Sequence, residues 1–195
     1  HDILLDSQTV FLRKAGMVLD TGAIAKGFAA DELVAILQAE GVKRAVINLG
    51  GNVYVYGEKA DKSPWQVGIK NPLAPEGMNA VQLSLPETSI VTSGTYERYF
   101  EADGIRYHHL LDSNTGCPAE TGLLAVTIVC DSSLLADALS TALFVAGQEK
   151  GIALLHRYPQ AQALWIREDC RISISPGLLD QSMLLLSEFT LQTAP

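Results

Sequence analysis

Apolar residues along the chain recur with two periods, and the places where one replaces the other mark out the elements. Residues 8–13 and 17–20 alternate as a short hairpin that leads into Asp20-Thr21-Gly22-Ala23-Ile24-Ala25-Lys26-Gly27. From about Gly22 to Glu40 the spacing is helical, with Phe28, Leu33, Ile36 and Leu37 as the apolar stripe and Gly41 at the stop. Ala45–Asn48 reads as a buried strand broken by Gly50-Gly51, and 52–57 with 65–69 as a second hairpin before a loop holding Pro72, Pro75 and Gly77. Strands follow at 81–85 and 88–91, the latter ending in Thr92-Ser93-Gly94, and a hairpin over 99–107 turns on Asp103-Gly104. Leu123–Cys130 is strand-like, and Ser132 or Ser133 caps a helix over 134–145 that stops at Gly147. A further helix spans roughly 149–157, with strands near 163–167 and 171–175. The pattern assigns nothing to the tail beyond Leu178. Antiparallel strands with interspersed helices predict an α+β fold, with largely antiparallel sheets flanked by helices, in a single domain over 1–195.

Composition narrows the chemistry. A net charge of −8 argues against nucleic acid as partner, because a polyphosphate backbone needs a broad basic surface. An anionic ligand needs a local solution instead: a metal, a helix N-terminus or a placed lysine. Cys117, Cys130 and Cys170 have no metal-type spacing, and their disulfide status stays open. No apolar run approaches the roughly 20 residues of a membrane helix. The chain opens at His1 without a visible signal peptide, which reads as a processed or trimmed start and carries no weight for a cytoplasmic location.

Five places carry candidate chemistry. Tyr107-His108-His109-Leu110-Leu111-Asp112-Ser113-Asn114-Thr115-Gly116-Cys117-Pro118 concentrates two of the four histidines beside a carboxylate. Such a pair suits proton transfer near neutrality, and equally a satisfied turn. Asp137 and Thr141, four apart, project from one helix face as partial ligands for a hard cation; the alternative is a surface Asp with a Thr bonded to its own backbone. Asp137 also interrupts an apolar helix, where a buried carboxylate needs a partner. The small residues 22–27 with Lys26 at a helix start suit a diphosphate, or only close helix–sheet packing. Gly50-Gly51 can line a cofactor or form a bulge, and Thr92-Ser93-Gly94 can donate to a ligand or simply turn.

Five blocks, 19–33, 45–57, 92–100, 107–118 and 136–147, taken in this order resemble the ApbE family, the FAD:protein FMN transferases. The resemblance implies Mg²⁺ as cofactor and FAD as substrate, with FMN joined by a phosphoester to a Thr or Ser of an acceptor flavoprotein. It implies Asp137, Thr141 and the Ala23 carbonyl as metal ligands, Lys26 near the diphosphate, and His109 as the essential histidine. Asp112 would orient that histidine or face the site. Gly50, Gly51, Thr92, Ser93, Gly94, His109 and Thr115 would contact the flavin nucleotide. It further implies an envelope location in bacteria, with a membrane contact only through a lipid anchor outside this chain. Against the family pattern an N-terminal stretch that helps hold FAD is missing, Ser113 stands where a proline is common, and Cys117 where an aromatic residue is frequent. Hydrolysis of FAD to FMN and AMP, and flavin binding without turnover, are the alternatives. The chain as acceptor is a weaker one: segments 137–142 and 112–116 fit an acceptor pattern but lie inside the blocks that match the enzyme.

Overall fold

A computed structural model describes residues 2–75 and 77–194. Strands β1 (Ile3–Leu5) and β2 (Val10–Leu12) pair as a hairpin whose turn is held by the Asp6 carboxylate, which accepts from the amides of Gln8 and Thr9. The hairpin thus lies earlier than the alternation suggested, and residues 17–20 are an extended loop with Val18 exposed. Helix α1 (Ala25–Ala39) ends before Gly41, whose φ of +72° is the left-handed value a helix stop favours.

The apolar stripe expected on α1 is not its buried face. Gly27, Ala30 and Val34 are buried, whereas Phe28 and Ile36 are more than half exposed. The cause is the closeness of the neighbouring helix, which leaves room only for small side chains over the first turns. Strands β3 (Ala45–Leu49) and β4 (Asn52–Tyr56) are joined, rather than broken, by Gly50 and Gly51. Both glycines have positive φ, +62° and +92°, which is the signature of a tight type I′ hairpin turn. β3 is an edge strand with only Ile47 buried, not the buried strand its composition suggested.

Strand β5 (Trp65–Lys70) pairs with β6 (Asn79–Leu85) instead of β4, because both edges of β4 are taken by β3 and β7 (Thr88–Gly94). β7 runs straight through Thr92-Ser93-Gly94, so this triplet is strand and not turn. β8 (Tyr99–Ala102) and β9 (Ile105–His108) form the expected hairpin, turning on Asp103 and Gly104 at φ +52° and +75°. The chain continues through β10 (Leu123–Cys130), α2 (Ser133–Leu155), β11 (Gln162–Arg167) and β12 (Arg171–Ile174). It finishes with α3 (Pro176–Leu179), β13 (Ser182–Leu184) and β14 (Thr190–Thr193). α2 is interrupted at Gly147, whose φ/ψ of 75°/168° is not helical, so the two expected helices abut across a kink.

A seven-stranded sheet in the order β14-β12-β11-β10-β7-β4-β3 forms the middle layer, antiparallel except for the β12–β14 pair. On one face Val126, Ile128 and Trp165 pack against Leu139, Leu143 and Phe144 of α2. On the other, Ala125, Val129 and Ile166 meet Ile69, Val81 and Leu83 of the three-stranded sheet β13-β6-β5. β10 is therefore covered on both sides, which is why it reads as an unbroken apolar run. The fold is α+β and mostly antiparallel, as the sequence predicts.

Candidate active site

The site is built where α1 meets the first two turns of α2. Ser132 caps α2 by accepting from the Leu135 amide. The Asp31 carboxylate of α1 reinforces that cap from outside, accepting from Ser132 Oγ at 3.2 Å and from the amides of Ser133 and Leu134 at 2.8 and 3.0 Å. One turn earlier on α1, Gly27 lies so close to α2 that a Cβ would sit 2.7 Å from Leu134 Cα and closer still to the Ser133 carbonyl oxygen. That approach lets the Gly27 amide donate to Asp137 Oδ2 at 2.8 Å.

Asp137 is 2% exposed, so its carboxylate needs these partners. Lys26 Nζ stands 3.8 Å from Oδ1, with its side chain more open to solvent. The diverted amide has a second consequence. In a regular helix the Gly27 N–H would close a turn on the Ala23 carbonyl; here it donates to Asp137, that carbonyl accepts no main-chain hydrogen bond among the described residues, and Ala23 lines the cavity. Thr141, one turn beyond Asp137 on α2, is held by Ser93 of β7: Ser93 Oγ lies 3.2 Å from Thr141 Oγ1 and 2.8 Å from Ser140 Oγ.

Opposite these groups the β8–β9 ribbon delivers His109. Its amide donates to the Arg98 carbonyl oxygen at 3.1 Å, and its Nδ1 lies 3.1 Å from the same oxygen. A carbonyl only accepts, so Nδ1 carries the proton and Nε2 of the neutral ring keeps its lone pair. The neighbouring His108 faces away, edge-on to Phe144, and burial, helped by the adjacent His109, pushes its pKa below the ordinary value.

A cavity of about 400 Å³ joins Ala23, Lys26, Gly50, Thr92, Ser93, His109, Asp137 and Thr141. Four residues named from the sequence stand outside its wall. Gly51 is the second residue of the β3–β4 turn, and Gly94 lies under the Tyr96 ring. The Asp112 carboxylate accepts from the amide and side chain of Asn114 at 2.8 and 2.9 Å, holding its own loop and not the His109 ring. Thr115 Oγ1 accepts from the Cys117 amide in the same loop.

Asp20, Glu97, Arg98 and Leu111 also line the cavity and were not singled out by residue type. Asp20 had a readable signal, since an Asp two residues before a Gly at a helix start forms the turn seen here, Gly22 N–H to Asp20 Oδ1 at 2.7 Å. Arg98 is a cation in an acidic chain beside a strand start, which is a weaker signal.

The donors expected for a metal, Asp137, Thr141 and the Ala23 carbonyl, are one carboxylate, one hydroxyl and one carbonyl, with the carboxylates of Asp20 and Glu97 elsewhere on the cavity wall. Among the described residues no three His, Cys, Asp or Glu side chains gather as a metal cluster. Few hard oxygen ligands suit Mg²⁺, which keeps waters and takes substrate phosphates, and do not suit zinc. Cys117, Cys130 and Cys170 are free thiols.

An α+β domain that opens such a cavity between two clamped helices and a histidine-bearing ribbon has solved counterparts. The ApbE protein of Thermotoga maritima superposes with a TM-score of 0.83 at 36% identity, over 92% of this chain and 59% of that one. The flavinyl transferase ApbE of Pseudomonas stutzeri, in its apo form, gives 0.70 at 38% identity over 86% of this chain and 51% of that one. The FAD:protein FMN transferase of Treponema pallidum is 45% identical over 192 residues, covering 94% of this chain and 53% of that protein. Its counterpart in Klebsiella pneumoniae is 43% identical over 177 residues, covering 90% and 54%. The chain thus spans about half the length of these curated relatives. The model of the ApbE family matches residues 1–165, and the chain belongs to the ApbE family.

Proposed function

We propose that this chain carries out Mg²⁺-dependent transfer of FMN from FAD to a Thr or Ser hydroxyl of an acceptor flavoprotein, releasing AMP. One observation carries the reading. The Asp137 carboxylate, the Thr141 hydroxyl, the Ala23 carbonyl stripped of its helical amide, Lys26 and His109 converge on a single cavity from three separate parts of the chain. Relatives bearing the name FAD:protein FMN transferase support it.

Asp137, Thr141 and Ala23 would hold Mg²⁺, which when bound neutralises charge on phosphoryl oxygens. Lys26 adds a second positive charge beside Asp137 for the diphosphate. Thr92, Ser93 and the Gly50 turn offer hydroxyls and open backbone to the nucleotide. His109 Nε2 takes the proton from the acceptor hydroxyl. The oxygen so freed bonds to the FMN phosphorus while the bond from that phosphorus to the AMP oxygen breaks, and AMP leaves with the electron pair. With water in place of the hydroxyl the same groups give FMN and AMP. The site of action we infer is the bacterial cell envelope, where the acceptor would be met.

The test is incubation with FAD, Mg²⁺ and a peptide carrying Asp-x-x-Ser/Thr, read by mass spectrometry. FMN on the peptide, lost on chelation, supports transfer. Free FMN and AMP with an unmodified peptide makes the chain a hydrolase, and retained flavin without turnover makes it a binding protein. His109→Ala is expected to lower turnover far more than FAD binding; equal losses would give His109 a ligand-contact role instead.

A further inference from the structure

We propose that the outer edge of β9 and the groove beside it receive an extended segment of the acceptor polypeptide as an added strand. The inference rests on the reading of His109 as the group that takes a proton from a protein hydroxyl.

The groove, about 740 Å³, lies on the far side of the His108-His109 segment from the catalytic cavity, between β9 and residues 117–124. Strand parity decides which groups face it. The His109 amide points to Arg98, continuing the ladder with β8, whereas the Leu110 carbonyl points the other way and accepts from Ala119. Residues of even number, Arg106 and His108, therefore present their main-chain N–H and C=O away from β8 and into the groove. Among the described residues these groups have no partner. Further along, the same edge is covered: Leu111 bridges to Pro118, and the Asp112 amide donates to the Cys117 carbonyl. The ladder thus exists over 110–112, stops where residues 119–122 veer away, and leaves a slot alongside β9.

Two residues of its wall, His108 and Thr121, each have a side-chain atom buried beneath the surface without a hydrogen-bond partner, Nδ1 and Oγ1. An added strand would pair the free N–H and C=O groups of Arg106 and His108, the source of affinity in strand addition. The rim supplies charge selectivity. Glu120 and Glu168 line the groove without an ion-pair partner among the described residues, while Arg106 is already paired with Glu101 at 3.2 Å. The slot is net acidic, so it fits a segment flanked by Lys or Arg. Adjacent strands are only about 4.8 Å apart, so a segment paired with Arg106 and His108 lies one strand's width from β9.

The test is fluorescence anisotropy of a labelled synthetic peptide with lysines flanking an Asp-Ala-Val-Thr core, compared with the same peptide N-methylated at alternate residues. Binding needs no turnover, so the outcome is separate from that of the transfer reaction. The unmodified peptide is expected to bind saturably and the N-methylated one at least about tenfold more weakly, the factor one lost hydrogen bond represents. Arg106→Pro deletes one outward amide that plays no part in the β8–β9 ladder, and proline is tolerated on such an edge. It is expected to weaken the peptide by about tenfold as well, with FAD binding by flavin fluorescence unchanged and the hairpin intact by circular dichroism. Equal binding of both peptides, an unaffected Arg106→Pro variant, or no saturable binding would overturn the proposal. So would self-association in sedimentation velocity that Arg106→Pro abolishes, which would give the slot to a second copy of the chain.

Discussion

Replacing Gly27 by alanine sets two effects of known sign against each other. In the interior of a helix alanine is better than glycine by about 1 kcal/mol, so propensity alone makes Gly27→Ala stabilising. The contact says otherwise. The new methyl carbon would stand 2.7 Å from Leu134 Cα and from the Ser133 carbonyl carbon, which are backbone atoms that cannot swing away as a side-chain tip does. Relief requires α1 to back off the start of α2. That strains the Asp31 cap and the Gly27–Asp137 hydrogen bond, and overpacking of this kind costs about 3 kcal/mol. The net loss is then about 2 kcal/mol, a fall in Tm of about 4–8 °C for a chain of this size. Thermal unfolding followed by circular dichroism reads this. Mg²⁺-dependent turnover should fall with it, because Ala23, Lys26 and Asp137 keep their spacing only while the helices touch. A variant that melts higher than the parent with unchanged activity would refute the reasoning, showing that the helices have slack at this point and that glycine is there for another reason.

Asp137→Asn keeps the shape and the acceptor for the Gly27 amide but removes the charge, so metal-dependent turnover should drop more than about a hundredfold while Tm moves less than for Gly27→Ala; activity titrated against Mg²⁺ checks it. Asp31→Ala removes an acceptor serving three donors at the α2 start and should cost about 1–2 kcal/mol, seen as a lower urea midpoint with unchanged slope. His108, whose pKa burial lowers, binds its proton less readily folded than unfolded. Its contribution is intact above the ordinary value near pH 6.5 and is lost as pH falls through it, so stability should decline from pH 7 to 5. His108→Gln should flatten that decline.

Much of this architecture was legible because local chemistry and tertiary context agree. Gly41, Gly147, Asp103-Gly104 and Ser132 act in the structure as their residue types suggest. The run 123–130 is a strand because a sheet centre covered on both faces demands continuous apolar residues. Readings failed where a partner distant in sequence decides. Phe28 and Ile36 satisfy helical periodicity as well as Ala30 and Val34, and only the closeness of α2 selects the small face. Strand pairing failed for the same reason, since nothing within 52–69 reveals that β7 occupies the edge β5 would need.

The candidate site shows the same division. Asp137 and Thr141 share a helix face and could be paired from spacing, but the state of the Ala23 carbonyl depends on an amide four residues later being drawn to another helix. Asp112 is the converse case. It sits three residues after His109, close enough in sequence to suggest a catalytic pair, yet an Asx-type turn through Asn114 satisfies its carboxylate locally. The histidine is oriented from across the hairpin by the Arg98 carbonyl, a main-chain group that leaves no mark in the residue alphabet. A backbone acceptor holds the Nδ1 proton without adding a charge beside the ring, unlike the carboxylate of a His–Asp pair.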